Sequence, residues 1–76
     1  MKDLLEYLAK ALVDDPAAVD VSLVEGEKSI ILELRVAQGD MGKVIGKQGR
    51  IAQALRTIVR AAAVKEGKKV MVEIIE

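Results

Sequence analysis

The sequence has no cysteine, no histidine, no phenylalanine and no tryptophan. The lack of cysteine excludes a disulfide framework, a thiol nucleophile and a cysteine-based zinc site. The lack of histidine removes the commonest general base and the commonest metal ligand. Tyr7 is the one aromatic residue, so any interior must be aliphatic and stacking on nucleotide bases is largely out of reach. No apolar run approaches the roughly 18 residues of a membrane span. The N-terminus, Met1-Lys2-Asp3-Leu4-Leu5-Glu6, mixes acids with leucines and does not read as a signal peptide. A cytoplasmic protein with no membrane partner is expected. Asp14-Asp15 and Glu25-Gly26-Glu27 fall at turns, where solvation accounts for their charge. Neither an enzyme nor a cofactor is therefore expected.

What remains is a globular composition. Hydrophobic residues make up 51% of 76 and charged residues 32%, enough to drive collapse of one small domain over residues 1–76. Such a chain is worth only about 4–11 kcal/mol of stability, so a partner or self-association would help it.

Net charge is zero, but it is unevenly spread. Residues 1–39 carry a net −4, residues 40–69 a net +6, and residues 70–76 a net −2. A polyanion responds to potential within about 8–10 Å, more than to the molecular total. The middle block (Lys43, Lys47, Arg50, Arg56, Arg60, Lys65, Lys68, Lys69) is thus a candidate anion-binding face.

Periodicity orders the elements. Leu4, Leu5, Leu8 and Leu12 recur at helical spacing up to Asp14-Asp15-Pro16, where the residue before proline avoids the helical region. Val19, Val21 and Leu23 alternate with polar residues, as do Ile30, Leu32, Leu34 and Val36 after a turn at 25–28, which predicts a hairpin. Asp40 is a candidate N-cap for a short helix over Met41 to Ile45. A longer helix follows Gly49. Ile51, Leu55, Ile58, Val59 and Ala62 mark its apolar face, with Arg50, Gln53, Arg56, Thr57 and Arg60 opposite. Glu66-Gly67 ends it, and Val70, Val72 and Ile74 alternate in a last strand. The expected fold is α+β with the order αββααβ, two layers, helices on one face of a three-stranded sheet.

The chemistry lies in Val44-Ile45-Gly46-Lys47-Gln48-Gly49-Arg50-Ile51. Two glycines three apart let the chain bend sharply and let another backbone come close. The bend ends at a helix N-terminus, where free amides and the dipole favour an anion, with Lys47 inside and Arg50 just after. A Walker A loop does not fit, since Gly42 and Gly46 enclose three residues where four are needed and Gln48 follows the lysine. The dinucleotide pattern GxGxxG is absent.

This segment, with the helix after it, resembles the signature of a KH domain. It is most similar to the KhpA family of small bacterial single-KH-domain RNA-binding proteins. The resemblance covers the whole chain and implies a type II KH fold, in which a GXXG loop clamps about four nucleotides of single-stranded nucleic acid. The backbone would pass over Gly46, Lys47, Gln48 and Gly49. Bases would enter a groove between the helix starting near Arg50 and the sheet edge, within reach of Arg50, Gln53 and Arg56. Lys43 would add potential, and Lys68 and Lys69 would face passing phosphates. Arg60 and Lys65 read more simply as a solvated face. One departure is Ala52, where many KH domains place a large aliphatic residue.

The family also implies a homodimer and a complex with a larger Jag-type KH protein. Ile31, Met71 and Ile75, or the Ala54, Ala61 and Ala62 edge of the long helix, are candidate self-interfaces. The expected function is single-stranded RNA binding, as an RNA chaperone or post-transcriptional regulator. A protein-interaction adaptor with a vestigial GXXG loop is the alternative. A DNA-reading helix-turn-helix using Arg50, Gln53 and Arg56 is a further rival.

Overall fold

In the computed structural model, which describes residues 1–76, the leucine-rich segment forms α1 (Lys2–Leu12) and buries Leu5 and Ala9. A 3₁₀ turn over Pro16–Ala18 leads to the hairpin of β1 (Asp20–Glu25) and β2 (Ser29–Arg35). The hairpin is closed by Gly26 N–H donating to the Ser29 carbonyl at 2.8 Å. Next come α2 (Met41–Ile45), α3 (Arg50–Lys65) and β3 (Lys69–Ile75). The order αββααβ is the one expected.

The sheet order is β1-β2-β3, with β1 antiparallel and β3 parallel to the central β2. A parallel pair needs a crossover, and α2 and α3 supply it. Register sets Val21 beside Leu34, and Ile30 and Leu32 beside Val70 and Val72. These side chains share one face and are buried with Leu5, Ala9, Val44, Leu55, Val59 and Ala63. The other face carries Val24, Ile31 and Met71 in one row across the three strands.

Two local readings shift. The long helix buries Ala52, Leu55, Val59 and Ala63, whereas Ile58, expected inside, is 45% exposed. The buried stripe is thus rotated from the expected one. Ala63 joins the core cluster and Ile58 turns out of it. Asp40 sits at the N-cap position of α2 but makes no side-chain cap. A 3₁₀ turn over Gln38–Asp40 runs straight into α2, so Asp40 has φ −102°, ψ 0° and lacks the extended backbone a capping residue needs.

Its carboxylate instead accepts the Asp15 N–H at 3.0 Å and faces Lys43 Nζ at 3.6 Å, with only 4% of the residue exposed. The Asp15 amide, chiefly, holds its pKa below the ordinary 3.8, and Lys43 adds to the effect. This tie fastens the start of α2 to the turn after α1. A lowered carboxylate pKa contributes stability above the ordinary value and loses it as pH falls through the folded value. Asp40→Asn should therefore lower the urea midpoint near neutral pH, with the gap to wild type closing as pH falls below 3.8. A gap independent of pH would contradict the charged tie.

Candidate nucleic-acid interface

Three backbone conformations build the bend between α2 and α3. Gly46 has φ 76°, ψ 173°, a region open essentially to glycine alone. Gln48 and Gly49 are left-handed, at φ 58° and φ 74°. A Cβ on Gly46 would lie 2.5 Å from Ile51 Cγ1 and 2.9 Å from its Cβ, so the bare α-carbon is what lets α3 fold back against the bend. Gly49 has open space around it and is glycine for its backbone alone. The outcome is that Lys47 and Gln48 stand exposed, directly before the N-terminus of α3, which no side chain caps.

The other candidates divide by position. Arg50 Nη2 donates to Gln48 Oε1 at 3.3 Å, which draws its charge over the loop. Gln53 is exposed one turn further on. Arg56 is half-buried, and its Nε donates to the Val72 carbonyl at 3.2 Å, bridging α3 to β3 at the edge of the sheet. Of these, Arg56 reaches β3, while Arg50 borders the groove between α1 and α3.

Lys43 does not stand free. It pairs with Asp14 at 2.9 Å and Asp40 at 3.6 Å, and its pKa is raised above 10.5, chiefly by the hydrogen bond to Asp14. With Asp14, Asp15 and Asp40 around it, this corner is net negative. Lys68 and Lys69 follow the far end of α3. The helix spans 16 residues, about 24 Å at 1.5 Å per residue, so they are not brought to the loop. Lys68 lies 3.7 Å from Glu25, and Lys69 makes no ion pair.

Two features escaped the sequence reading. Arg60 does not simply solvate a helix face: it lines a cleft with Val64, Lys68, Lys69, Val70 and Met71. The repeat Arg56-Arg60-Val64, four apart, was the available signal. Asp14 is a partner of Lys43 and not merely a solvated turn residue; nothing local in the sequence pointed to that pairing.

A helix pair joined by a glycine bend, set against a sheet with one antiparallel and one parallel neighbour, is the type II KH arrangement. The fold is shared with Era, a much longer protein: a structure of Aquifex aeolicus Era bound to GDP.AlF4- superposes with a TM-score of 0.71 at 19% identity, over 96% of this chain and 28% of that one. A structure of Era with MgGDPNP and nucleotides 1506–1542 of 16S ribosomal RNA gives 0.66 at 19% identity over the same shares. The model of the KhpA/KhpB KH domain matches residues 2–74, and the chain belongs to that family. It is 71% identical over 75 residues to the RNA-binding protein KhpA of Clostridium acetobutylicum, covering 99% of this chain and 100% of that one. It is 55% identical over 76 residues to the RNA-binding protein KhpA of Aquifex aeolicus, covering 100% and 96%.

The two glycines have unequal duties, which substitution separates. Gly46→Ala should lose about 1–3 kcal/mol to backbone strain, plus the cost of displacing Ile51. Gly49→Ala should lose only the roughly 1–2 kcal/mol of a left-handed alanine. Urea unfolding of both variants checks this, and equal losses would mean that the Gly46–Ile51 contact is unimportant.

Proposed function

We propose that the chain is a non-catalytic single-stranded RNA-binding protein that grips the nucleic-acid backbone with residues 46–49. The observation that carries the reading is the exposed pair Lys47-Gln48, held outward by two positive-φ glycines at an uncapped helix N-terminus. Relatives matched over 100% and 96% of their length that bear the name RNA-binding protein support it. Arg50, Gln53 and Arg56 flank the path beyond the loop. Lys43 contributes potential damped by its two aspartates. The family consists of non-enzymatic binding modules. The role that fits is an RNA chaperone or post-transcriptional regulator in the cytoplasm.

Tyr7, the one aromatic side chain, lies on α1, so affinity rests on phosphate contacts and aliphatic surface. Binding should be weak, tolerant of sequence and salt-sensitive, with a slope of about −0.7 per phosphate neutralised. Lys47→Asp with Gln48→Asp places negative charge where a phosphate sits. Aspartate tolerates the left-handed backbone of position 48, so the fold is kept. RNA binding should collapse in this variant while circular dichroism and urea midpoint stay near wild type. Unchanged RNA binding would favour the adaptor reading, with the loop vestigial.

A weak single site gains from a second copy through effective concentration. The groove between α1 and α3, lined by Leu8, Ala11, Leu12, Ile51, Ala54 and Ile58, is the apolar surface that suits a homodimer. It takes in Ala54 of the candidate helix edge and leaves the outer sheet row for another partner, such as a larger Jag-type KH protein. Ile58→Asp should shift sedimentation at tens of micromolar from dimer to monomer. A wild-type chain already monomeric there would remove the homodimer.

A further inference from the structure

The sheet has two edges, and only one is met by a side chain. At β3, Arg56 Nε donates to the Val72 carbonyl at 3.2 Å. At β1, the terminal strand on the other side, no side-chain hydrogen bond arrives. The hairpin fixes which backbone groups of β1 are free. Gly26 N–H donates to the Ser29 carbonyl, so that pair is hydrogen-bonded, and bonded and non-bonded pairs alternate in an antiparallel ladder. Val24–Ile31 and Ser22–Glu33 are therefore bonded pairs, while Val21, Leu23 and Glu25 turn N–H and C=O away from β2. Val21 is buried at 3% exposed. Leu23 and Glu25 are exposed, and no turn or loop hydrogen bond reaches either. Two donors and two acceptors thus stand open to a further strand.

The side chains agree. Edge strands are ordinarily blunted by lysine, proline or a bulge. β1 reads Asp-Val-Ser-Leu-Val-Glu and pairs with β2 at every residue without a bulge. Leu23 is 42% exposed on the helix side of the sheet and Val24 50% exposed on the other. A strand laid along the edge would cover one apolar residue on each face. Glu25 has a single loose contact, with Lys68 at 3.7 Å. A second copy of β1 does not suit this edge. Only odd-numbered residues face out, so two antiparallel copies set Glu25 against Val21, Leu23 or another Glu25, and never against a cation. We infer that the edge of β1 at Leu23 to Glu25 docks an extended segment of a different protein, running antiparallel. That segment carries a lysine or arginine opposite Glu25, then two branched apolar residues opposite Val24 and Leu23. Main-chain hydrogen bonds supply the grip and the three side chains the selection. The inference goes beyond the RNA reading and does not rest on it.

The capped pentapeptide Thr-Lys-Val-Ile-Thr tests it, added to the full chain at up to about 10 mM and followed by amide NMR. The Leu23 and Glu25 amides should shift and their hydrogen exchange should slow, while the Lys47 and Gln48 amides stay in place. In the docked pose the Lys and Ile amides of the peptide point at β1, and the central Val amide points away. N-methylation of the first two should weaken binding about tenfold or more, since two hydrogen bonds are lost. N-methylation of the Val amide should leave affinity within about twofold. Glutamate in place of the peptide's lysine should weaken binding about threefold. Val24→Lys, at a position already exposed, should weaken it about tenfold and keep the urea midpoint. Unmoved Leu23 and Glu25 amides, equal effects of the two methylation patterns, or unchanged affinity for the glutamate peptide or in Val24→Lys would each overturn the docking edge. Leu23 and Glu25 shifts that grow with protein concentration alone would give the edge to a second copy, and shifts with octauridylate would give it to RNA. Either result overturns the inference. The variant with Lys47→Asp and Gln48→Asp should bind the peptide as wild type does, so a failure of RNA binding and a failure of the edge are read separately.

Discussion

The contact between the bare α-carbon of Gly46 and the side chain of Ile51 is the constraint on which the rest turns. Gly46 takes a backbone conformation that side-chain-bearing residues rarely visit, and a Cβ there would overlap Ile51. Because that space is empty, α3 follows α2 across only residues 46–49 and leaves Lys47 and Gln48 outside. Ile51 also lines the apolar groove between α1 and α3. One aliphatic side chain therefore touches both the candidate RNA loop and the candidate self-interface.

Electrostatics then choose a side. The chain is neutral overall, yet its cations are not equally available. Lys43 is held by Asp14 and Asp40, and Asp40 also ties down the Asp15 amide. That corner repels a phosphate chain. Lys47, Arg50, Arg56 and Arg60 make no ion pair. The same aspartates anchor α2 to the turn after α1.

Ala52 shows how a departure from the family pattern can still be accommodated. At 5% exposed it is buried against the rest of the domain, in the stripe continued by Leu55, Val59 and Ala63. The cost is Ile58, displaced outward, and that displacement supplies an apolar residue for the groove against α1.

Much of this was legible in the residues themselves. The alternation at Ile30, Leu32 and Leu34, the leucine spacing of the first helix and the pair Gly46 and Gly49 are local signals, and periods of two and about 3.6 specify elements directly. They determined the element order, the α+β class and the place of the loop. Tertiary structure alone decided which face of α3 is buried, that Lys43 is taken up by Asp14, and that Lys68 and Lys69 lie a helix length from the loop. Those outcomes depend on how helices settle on the sheet and on charges remote in sequence meeting across a turn, and no periodic pattern along the chain encodes such distances.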